Sequence, residues 1–291
     1  MDILKLGLPK GSLQEATFRI FTHAGFNISI SERSYLPSID DAQIEPVLLR
    51  SQEMSRYVEA GALDCGITGD DWIMENDSDV MRIAELIYSK QSLRPVRWVL
   101  AVPEDSPIKS LRGIQGKRIA TELVNVTNKF LRKNKIKADV EFSWGATEVK
   151  VGAGLVDAIV ELTETGRSLK ANKLREVKTI CESNTRFIAN KNSYRDRFKR
   201  RKMEEIILLL QGAIVAQEKV GLKLNVKEKD LEKVVAKLPA LKKPTISLLT
   251  TDGWLAVETI IDEKSVRKLI PELKKAGAEG IIEYPLNKVI Y

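Results

Sequence analysis

The chain has 291 residues, of which 43% are hydrophobic and 30% are charged, and this composition suits a globular protein of two or three domains. It contains two cysteines, Cys65 and Cys181, and one histidine, His23, which excludes a disulfide scaffold and argues against histidine-based triads and metal sites. The formal net charge of +7 favours anionic partners, and nucleotides or pyrophosphates satisfy it as readily as nucleic acid does.

The strand and helix signals of the first ninety residues alternate. Short apolar runs predict strands at residues 3–8, 26–30, 44–49 and 64–68. Helical patterns lie between them at residues 12–24 and 54–60, and the first begins with a capping box formed by Ser12 and Glu15. His23 lies at the margin of the apolar face of this helix, so a structural role is favoured over a catalytic one. The alternation predicts an α/β sheet covered by helices.

A second α/β unit is predicted to begin near Val96. Its strands are expected at residues 97–102, 118–121, 139–144 and 158–163, with helices at 126–134 and 147–153. Two further strands, at 174–183 and 185–189, could return to the first unit. We therefore predict two lobes joined by two crossings, as in periplasmic binding proteins, with a ligand in the cleft. Lobe I is assigned residues 1–95 with 180–220, and lobe II residues 96–179.

The remaining residues predict a third domain. A long helix is expected over residues 194–219, followed by strand, helix, strand, strand, helix and strand at 222–226, 229–238, 245–250, 254–261, 264–276 and 280–284. This is the β-α-β-β-α-β order of ferredoxin-like domains. The hairpin turn Thr251–Trp254 and the helix-ending Gly277 support it. The domain is assigned residues 221–291.

The chain is predicted to be cytoplasmic and to bind neither nucleic acid nor membrane. Six basic residues lie between Arg195 and Lys202, but helical spacing distributes them around a helix, which favours a solvated helix over a nucleic-acid patch. The N-terminus carries Asp2 and does not resemble a signal peptide. No apolar run is long enough to span a membrane.

The segment from Asp157 to Leu169, with the sequence DAIVELTETGRSL, is the most informative in the chain. A buried strand carries Asp157 and Glu161 on one face and leads into a turn rich in hydroxyl groups. Backbone N–H groups at such a turn, ahead of a helix, suit a phosphate, and a preceding acid suits a sugar diol. The segment therefore indicates a phosphorylated sugar, although Thr-Gly-x-Ser alone also fits an ordinary strand-to-helix turn.

Three other strings are informative, and the first two suit a ligand-binding cleft. Residues 9–12, Pro-Lys-Gly-Ser, form either an anion site or a capped surface turn at the start of a helix. Residues 61–70, GALDCGITGD, offer glycines for close ligand approach, and Asp64 and Asp70 either accept hydrogen bonds from a nucleotide or cap the adjoining helix. The third string is GKRIATE at residues 116–122.

Together these strings resemble the ATP phosphoribosyltransferase family, and the resemblance extends from Leu8 to the last strand near Ile282. Three departures are visible. Glu161 stands where the family usually has Asp, Ser168 where it usually has Thr, and Ser12 where Arg often follows Pro-Lys-Gly. The C-terminal domain resembles the regulatory domain of the family's long form.

The resemblance implies transfer of the phosphoribosyl group of phosphoribosyl pyrophosphate (PRPP) to N1 of ATP, with Mg²⁺ neutralising the leaving pyrophosphate. It assigns PRPP binding to Asp157, Glu161, Thr163, Glu164, Thr165, Gly166, Arg167, Ser168 and Leu169. It assigns the ATP or pyrophosphate side to Lys10, Gly11, Arg50, Asp64, Gly69, Asp70 and Arg97. Within this assignment Glu161 holds the ribose hydroxyls and Asp157 supports it. No protein ligand to the metal and no general base is assigned.

The resemblance also implies inhibition by L-histidine, bound between regulatory domains of neighbouring subunits, which favours a hexamer over an active dimer. The candidate contacts are Asp230, Thr245, Ser247, Thr250 and Ala256. The long form needs no separate regulatory subunit. The alternatives are a purely structural dimerisation domain, a non-catalytic small-molecule sensor on the two-lobed scaffold, and another PRPP-using transferase that acts on a nucleobase or anthranilate.

Overall fold

The computed structural model describes residues 2–30, 37–88, 95–239 and 244–291. The chain forms two compact units, residues 1–22 with 26–207 and residues 23–25 with 208–291. Among the described residues, no helix combines the length and the apolar character that crossing a membrane requires.

The first unit contains two five-stranded sheets, and the parts of the chain built on them are called lobe I and lobe II; β2 and β3 form a separate two-stranded sheet. The elements leading through lobe I are β1 (Leu4–Lys10), α1 (Gln14–Ala24), β2 (Ile28–Ser29), β3 (Ser38–Ile39), β4 (Ile44–Arg50), α2 (Ser51–Glu59), β5 (Cys65–Gly69), α3 (Asp70–Asn76) and β6 (Met81–Leu86). Those of lobe II are β7 (Val96–Pro103), β8 (Arg118–Thr121), α4 (Val124–Lys133), β9 (Asp139–Phe142), α5 (Thr147–Gly152), β10 (Ala158–Thr163), α6 (Arg167–Ala171) and β11 (Leu174–Ser183).

The chain then returns to lobe I and continues into the second unit. The elements are β12 (Thr185–Ala189), α7 (Lys191–Arg195), α8 (Arg197–Ala216), β13 (Lys219–Lys227), α9 (Leu231–Val235), β14 (Thr245–Leu248), β15 (Trp254–Asp262), α10 (Glu263–Lys275) and β16 (Glu279–Pro285).

The two lobes share one strand arrangement. Lobe I has the order β4-β1-β5-β12-β6 and lobe II the order β11-β7-β10-β8-β9. Three strands of each sheet pair in parallel, β4, β1 and β5 in lobe I and β9, β8 and β10 in lobe II. One antiparallel strand lies between these three and the last strand of the sheet, β12 in lobe I and β7 in lobe II. Since β7 follows β6 and β12 follows β11, the chain crosses between the lobes twice. The predicted two-lobed core, like that of periplasmic binding proteins, is confirmed.

The C-terminal sheet has the order β14-β15-β13-β16 with every pair antiparallel. This is the ferredoxin-like arrangement that the sequence predicts. Its core lies on one face, where Leu224 and Val257 pack against Leu273 of α10. The predicted start of this domain at residue 221 falls within β13, and the predicted end of lobe II at residue 179 falls within β11, whose pairing with β7 continues to Ser183.

Two helix predictions are wrong. The predicted capping box does not form, since α1 begins at Gln14, whose Oε1 accepts a hydrogen bond from Gly11 N at 3.4 Å. The predicted long helix is two helices, because Asp196 between them is extended and its Oδ1 accepts a hydrogen bond from Lys199 N at 2.9 Å. Asp196 thus acts as the N-cap at which the second helix, α8, begins.

Four basic residues near the start of α8 are paired with acids. Lys199 contacts Asp64, Lys202 contacts Asp41, and Arg200 and Arg201 contact the glutamates one turn further along the helix. These ion pairs agree with the predicted solvated helix, and they were not themselves predicted.

Candidate functional site

A cavity of about 460 Å³ is lined by residues of both lobes. Its volume is within the range of small-molecule sites. The lining residues are Lys10, Gly11, Ser12, Leu13, Arg50, Ser51, Gln52, Gly69, Asp71, Trp72, Tyr88, Val96, Trp98, Glu122, Glu161, Leu162, Glu164, Ser183, Asn184 and Thr185.

Lobe I contributes the ends of three neighbouring parallel strands. Lys10 and Arg50 are register partners at the ends of β1 and β4, Gly11 follows β1, and Gly69 ends β5. Carboxyl ends of parallel strands are where open α/β sheets bind ligands. The sheet order thus explains why residues far apart in sequence, all predicted for the ATP or pyrophosphate side, line one cavity wall.

Lobe II contributes carboxylates to the opposite wall. Glu161, near the end of β10, has its Oε1 3.0 Å from Leu162 N, and Glu122 follows β8. Burial raises the pKa of Glu161 to about 7, and the nearby charges of Glu148 and Glu122 add to the effect. Burial also raises the pKa of Glu122, which accepts a hydrogen bond from Gln52 of lobe I at 3.5 Å. A ligand cation or sugar diol would meet a carboxylate that gives up its proton near neutral pH.

The turn after β10 is built as its sequence predicts. Thr163 is buried, and its Oγ1 accepts a hydrogen bond from Gly166 N at 2.8 Å. Gly166 adopts φ +74°, a left-handed conformation that glycine takes at little cost. Leu169 packs into the lobe II core, which fixes α6, while Thr165, Arg167 and Ser168 are exposed. Of this turn, Glu164 lines the cavity.

Asp71, which the sequence analysis did not select, is the buried carboxylate that joins the lobes. Its Oδ2 accepts a hydrogen bond from Trp98 Nε1 at 2.7 Å, and its Oδ1 accepts bonds from Ser183 Oγ at 2.8 Å and Trp72 N at 3.0 Å. Burial raises its pKa, although each of these hydrogen bonds opposes the shift. Trp98 and Ser183 belong to lobe II strands, so Asp71 fixes the lobe contact beside the cavity.

Gly69, which lines the cavity, also leaves room for this carboxylate. A Cβ at position 69 would lie 2.0 Å from Asp71 Oδ1 and 3.0 Å from Ser183 Oγ. The absence of a side chain is therefore what admits the Asp71 carboxylate to its place.

Asp64 and Asp70 are not among the described residues that line the cavity. Both form ion pairs within lobe I instead. Asp64 lies at the start of β5, and its carboxylate accepts hydrogen bonds from Lys5 N at 2.8 Å and Lys199 Nζ at 2.7 Å. Burial alone would raise the pKa of Asp64, but these hydrogen bonds outweigh it, and the pKa is lowered. Asp70 Oδ2 lies 2.6 Å from Arg186 Nε. Both carboxylates hold lobe I together.

Asp157 and Arg97 are also placed away from the cavity lining. Asp157 precedes β10, at the end opposite Glu161, and accepts a hydrogen bond from Arg118 N at 2.9 Å, which lowers its pKa. Glu161 lies four residue steps further along the strand, a rise of about 13 Å, so Asp157 cannot support that carboxylate. Arg97 forms a bidentate pair with Glu176, at 2.9 and 3.0 Å, directly across the sheet from Thr163. This pair holds the end of β10, and with it the turn that follows, from β11.

The candidate effector residues fall into two places. Ser247 and Ala256 are cross-strand partners, and Thr245 lies on the same face, opposite the helix-packed face of the C-terminal sheet. Thr250 is exposed after β14. Asp230 lies apart, at the start of α9, where its Oδ1 is 3.0 Å from Lys233 Nζ and its carboxylate is next to Gly277.

Family models and relatives of known name all point to one family. Residues 50–212 match the model described as ATP phosphoribosyltransferase, and residues 216–288 match HisG, C-terminal domain. ATP phosphoribosyltransferases from Chlorobium luteolum and Thermodesulfovibrio yellowstonii are each 61% identical over 288 residues, covering 99% of this chain and 98% of the relative.

One solved structure adds support. A chain of the ATP phosphoribosyl transferase (HisG:HisZ) complex from Thermotoga maritima is 28% identical with a TM-score of 0.61, and the match covers 72% of this chain and 99% of that one. With the family models and the curated relatives, these matches show that the chain belongs to the ATP phosphoribosyltransferase family, whose enzymes catalyse the first step of histidine biosynthesis.

Proposed function

We propose that the cavity between the lobes is where this ATP phosphoribosyltransferase joins the phosphoribosyl group of PRPP to N1 of ATP. One observation carries the proposal: Lys10 and Arg50 of lobe I face the same cavity as Glu161 and Glu164 of lobe II. Cations on one wall suit the phosphates of ATP and pyrophosphate. Carboxylates on the other suit the ribose hydroxyls, and the turn Thr163–Leu169 suits the 5-phosphate.

The reaction needs little from the protein besides placement and charge. A bond forms between N1 of ATP and C1 of the ribose as the bond from C1 to the pyrophosphate oxygen breaks, and pyrophosphate leaves with that electron pair. Positive charge develops on the ribose ring, so the carboxylate of Glu161 stabilises the transition state, and Lys10 and Arg50 stabilise the departing anion. No protein nucleophile is required.

The residues present fit a Mg²⁺ ion that is held mainly by the substrates. No group of three metal-ligating side chains occurs among the described residues. Mg²⁺ commonly binds one or two carboxylates together with substrate phosphates and water, and Glu161 and Glu122 both line the cavity. When bound, the ion would neutralise charge on the pyrophosphate as it leaves.

A coupled absorbance assay with ATP, PRPP and Mg²⁺ tests the assignment. Product that requires both substrates supports the transferase, and loss of this activity in Arg50→Ala supports the cavity as its site. Turnover with anthranilate or a free nucleobase in place of ATP would favour a different PRPP-using transferase. Binding of PRPP without turnover would favour the small-molecule sensor.

Regulation by L-histidine is proposed for the C-terminal domain. The helix-free face that carries Thr245, Ser247 and Ala256 belongs to a sheet whose edge strand β14 is exposed. A second copy of the chain placed against this face would enclose an amino acid between two domains, and hexamer assembly through such contacts is part of the proposal. Since the chain carries this domain itself, we propose that it works without a separate regulatory subunit.

The variant Ser247→Leu should be resistant to histidine. A large apolar side chain on the helix-free face would fill the space of a small polar ligand, so we expect at least about a tenfold rise in the half-inhibitory histidine concentration. Turnover without histidine should stay within about twofold. Ser265→Leu, on α10 across the sheet, is the matched control and should leave inhibition unchanged. Unchanged inhibition in Ser247→Leu would favour a purely structural domain.

The cytoplasmic location stays a prediction. Both cysteines are free thiols, Cys65 buried and Cys181 half-buried, and this supports a reducing compartment.

A further inference from the structure

Helix α4 of lobe II begins without a capping residue of its own. The residue before it is Leu123, which is buried and makes no side-chain cap, and its first turn contains no acid. The first N–H groups of a helix have no partner within the helix, and that end carries partial positive charge. Helix α4 therefore depends on an acceptor from another part of the chain.

Glu75, on α3 of lobe I, is that acceptor. Its Oε1 lies 2.9 Å from Asn125 N and its Oε2 lies 3.0 Å from Val126 N, so each carboxylate oxygen caps one N–H of α4. Asn125 Nδ2 also donates to the backbone oxygen of Glu75 at 2.9 Å. Hydrogen bonds from backbone N–H groups to a carboxylate are charge-assisted and stronger than neutral ones. A single side chain thus joins the lobes through a helix end.

The end of α3 that carries Glu75 is held in place by hydrogen bonds within lobe I. The neighbouring Asn76 donates from Nδ2 to Gln52 O at 2.8 Å and to Ser55 Oγ at 2.9 Å, which ties the end of α3 to α2 within lobe I. By contrast, the second inter-lobe contact nearby, Lys129 Nζ to Asp77 Oδ1 at 2.8 Å, is exposed and contributes little. Glu75 therefore makes the hydrogen bonds that hold the first turn of α4 to lobe I, beside the apolar contact of Trp72 and Met74 of α3 with the lobe II core.

The helices joined by Glu75 either line the cavity, as α3 does, or directly follow a residue that lines it, as α4 follows Glu122. Asp71 lies one helical turn before Glu75 on α3, and Glu122 lies two residues before α4 begins. A change in the spacing of α3 and α4 would therefore move Glu122 relative to Gln52 and Arg50 of lobe I.

We infer that Glu75 is a positioning residue of the transferase, which caps α4 from the opposite lobe and so holds the two walls of the cavity at the spacing its substrates need. The inference rests on the cavity being the active site. Without the cap, wider arrangements of the lobes gain population, and apparent substrate affinity falls in proportion to the closed fraction. The groups that contact the substrates are unchanged, so turnover at saturation is retained.

The variant Glu75→Ala tests this through the split between KM and kcat. We expect KM for both ATP and PRPP to rise about tenfold, with kcat within about twofold of the parent. The matched control is Glu59→Gln, because Glu59 Oε1 accepts a backbone hydrogen bond from Asp79 at 3.0 Å inside lobe I. It should leave both constants unchanged. Should Glu75→Ala fail to fold, Glu75→Gln keeps one acceptor oxygen and should raise KM about threefold.

A second variant separates lobe spacing from helix stability. Asn125→Asp in the Glu75→Ala background gives α4 a carboxylate of its own in its first turn, which restores the charge at the helix end but not the link to lobe I. The raised KM should persist in this double variant. A return of KM to the parent value would mean that Glu75 only stabilises α4, and would overturn the inference.

The lobe spacing itself can be measured without substrate. Spin labels at Ala60→Cys, after α2, and Lys133→Cys, at the end of α4, report the distance between the lobes once labelled chains are diluted with unlabelled ones. The distance distribution should become longer and broader in Glu75→Ala and stay unchanged in Glu59→Gln. An unchanged distribution in Glu75→Ala would overturn the inference. A failed active-site assignment would instead appear in Arg50→Ala, which would keep its activity.

Discussion

The variant Glu161→Gln should be more stable than the parent protein above pH 7 and nearly inactive. Burial and the charges of Glu148 and Glu122 raise the pKa of Glu161 to about 7 from 4.5. Glutamine has nearly the same shape but no charge to desolvate, so it avoids the penalty that the ionised carboxylate suffers. Loss of the ribose-binding carboxylate should lower kcat/KM by about a hundredfold to a thousandfold.

The stability difference has a defined pH dependence. The folded protein binds the Glu161 proton more tightly than the unfolded chain, so this group loses folding free energy as pH rises from about 4.5 to about 7. The full loss is about 3 kcal/mol. Chemical denaturation at pH 5 and pH 8 should therefore show a small difference between variant and parent at pH 5 and a gain of about 2–3 kcal/mol at pH 8.

Asp157→Asn is the matched control, because it changes an acid of the same segment at the other end of β10. Its carboxylate has a lowered pKa and is one-third exposed beside Lys117 and Arg118, so the substitution should cost less than about 1 kcal/mol at pH 8. Activity should stay within a few-fold. An Asp157→Asn variant as inactive as Glu161→Gln would restore the original assignment of Asp157 to the ribose site.

Local sequence was sufficient to predict most strands, because their residues are apolar and are bounded by turns. Strands β8, β10, β11 and β12 have the predicted limits. Helix α3 and strand β6 were not predicted. Helix α3 is short and contains acids and a tryptophan in place of a regular apolar stripe, and its position is set by contacts to α2 and α4. Short elements that are held by tertiary contacts show little hydrophobic periodicity in their own sequence, so they are hard to predict from it.

The candidate site shows the same limit. Lys10, Arg50, Glu161 and Glu164 were identified from motifs and line one cavity. The sequence could not show which of the adjacent Asp70 and Asp71 lines the cavity. The partners that place Asp71 are Trp98 and Ser183, which are 27 and 112 residues away in the chain. Asp64, similarly, is held by Lys199, 135 residues further along the chain. Motifs identify residue types, whereas the partners that fix a carboxylate come from topology.

The variant Gly69→Ala should damage both stability and activity. The new Cβ would lie 2.0 Å from Asp71 Oδ1 and 3.0 Å from Ser183 Oγ, distances that no rotation of the methyl group relieves. Moving the carboxylate aside would leave the buried donors Trp98 Nε1 and Ser183 Oγ without their acceptor. Overpacking and lost hydrogen bonds together should cost about 2–4 kcal/mol, read as a lower midpoint in urea.

Gly152→Ala is the control for Gly69→Ala, since it adds the same methyl group at the end of α5, where no atom lies within 4 Å of the new Cβ. It should change stability by less than about 1 kcal/mol. Because Asp71 bridges the lobes beside the cavity, Gly69→Ala should also lower kcat/KM by at least about tenfold at temperatures where it remains folded. A folded Gly69→Ala protein with full activity would mean that the Asp71 contacts are not needed to align the lobes, and that the remaining inter-lobe contacts, among them the Glu75 cap on α4, suffice.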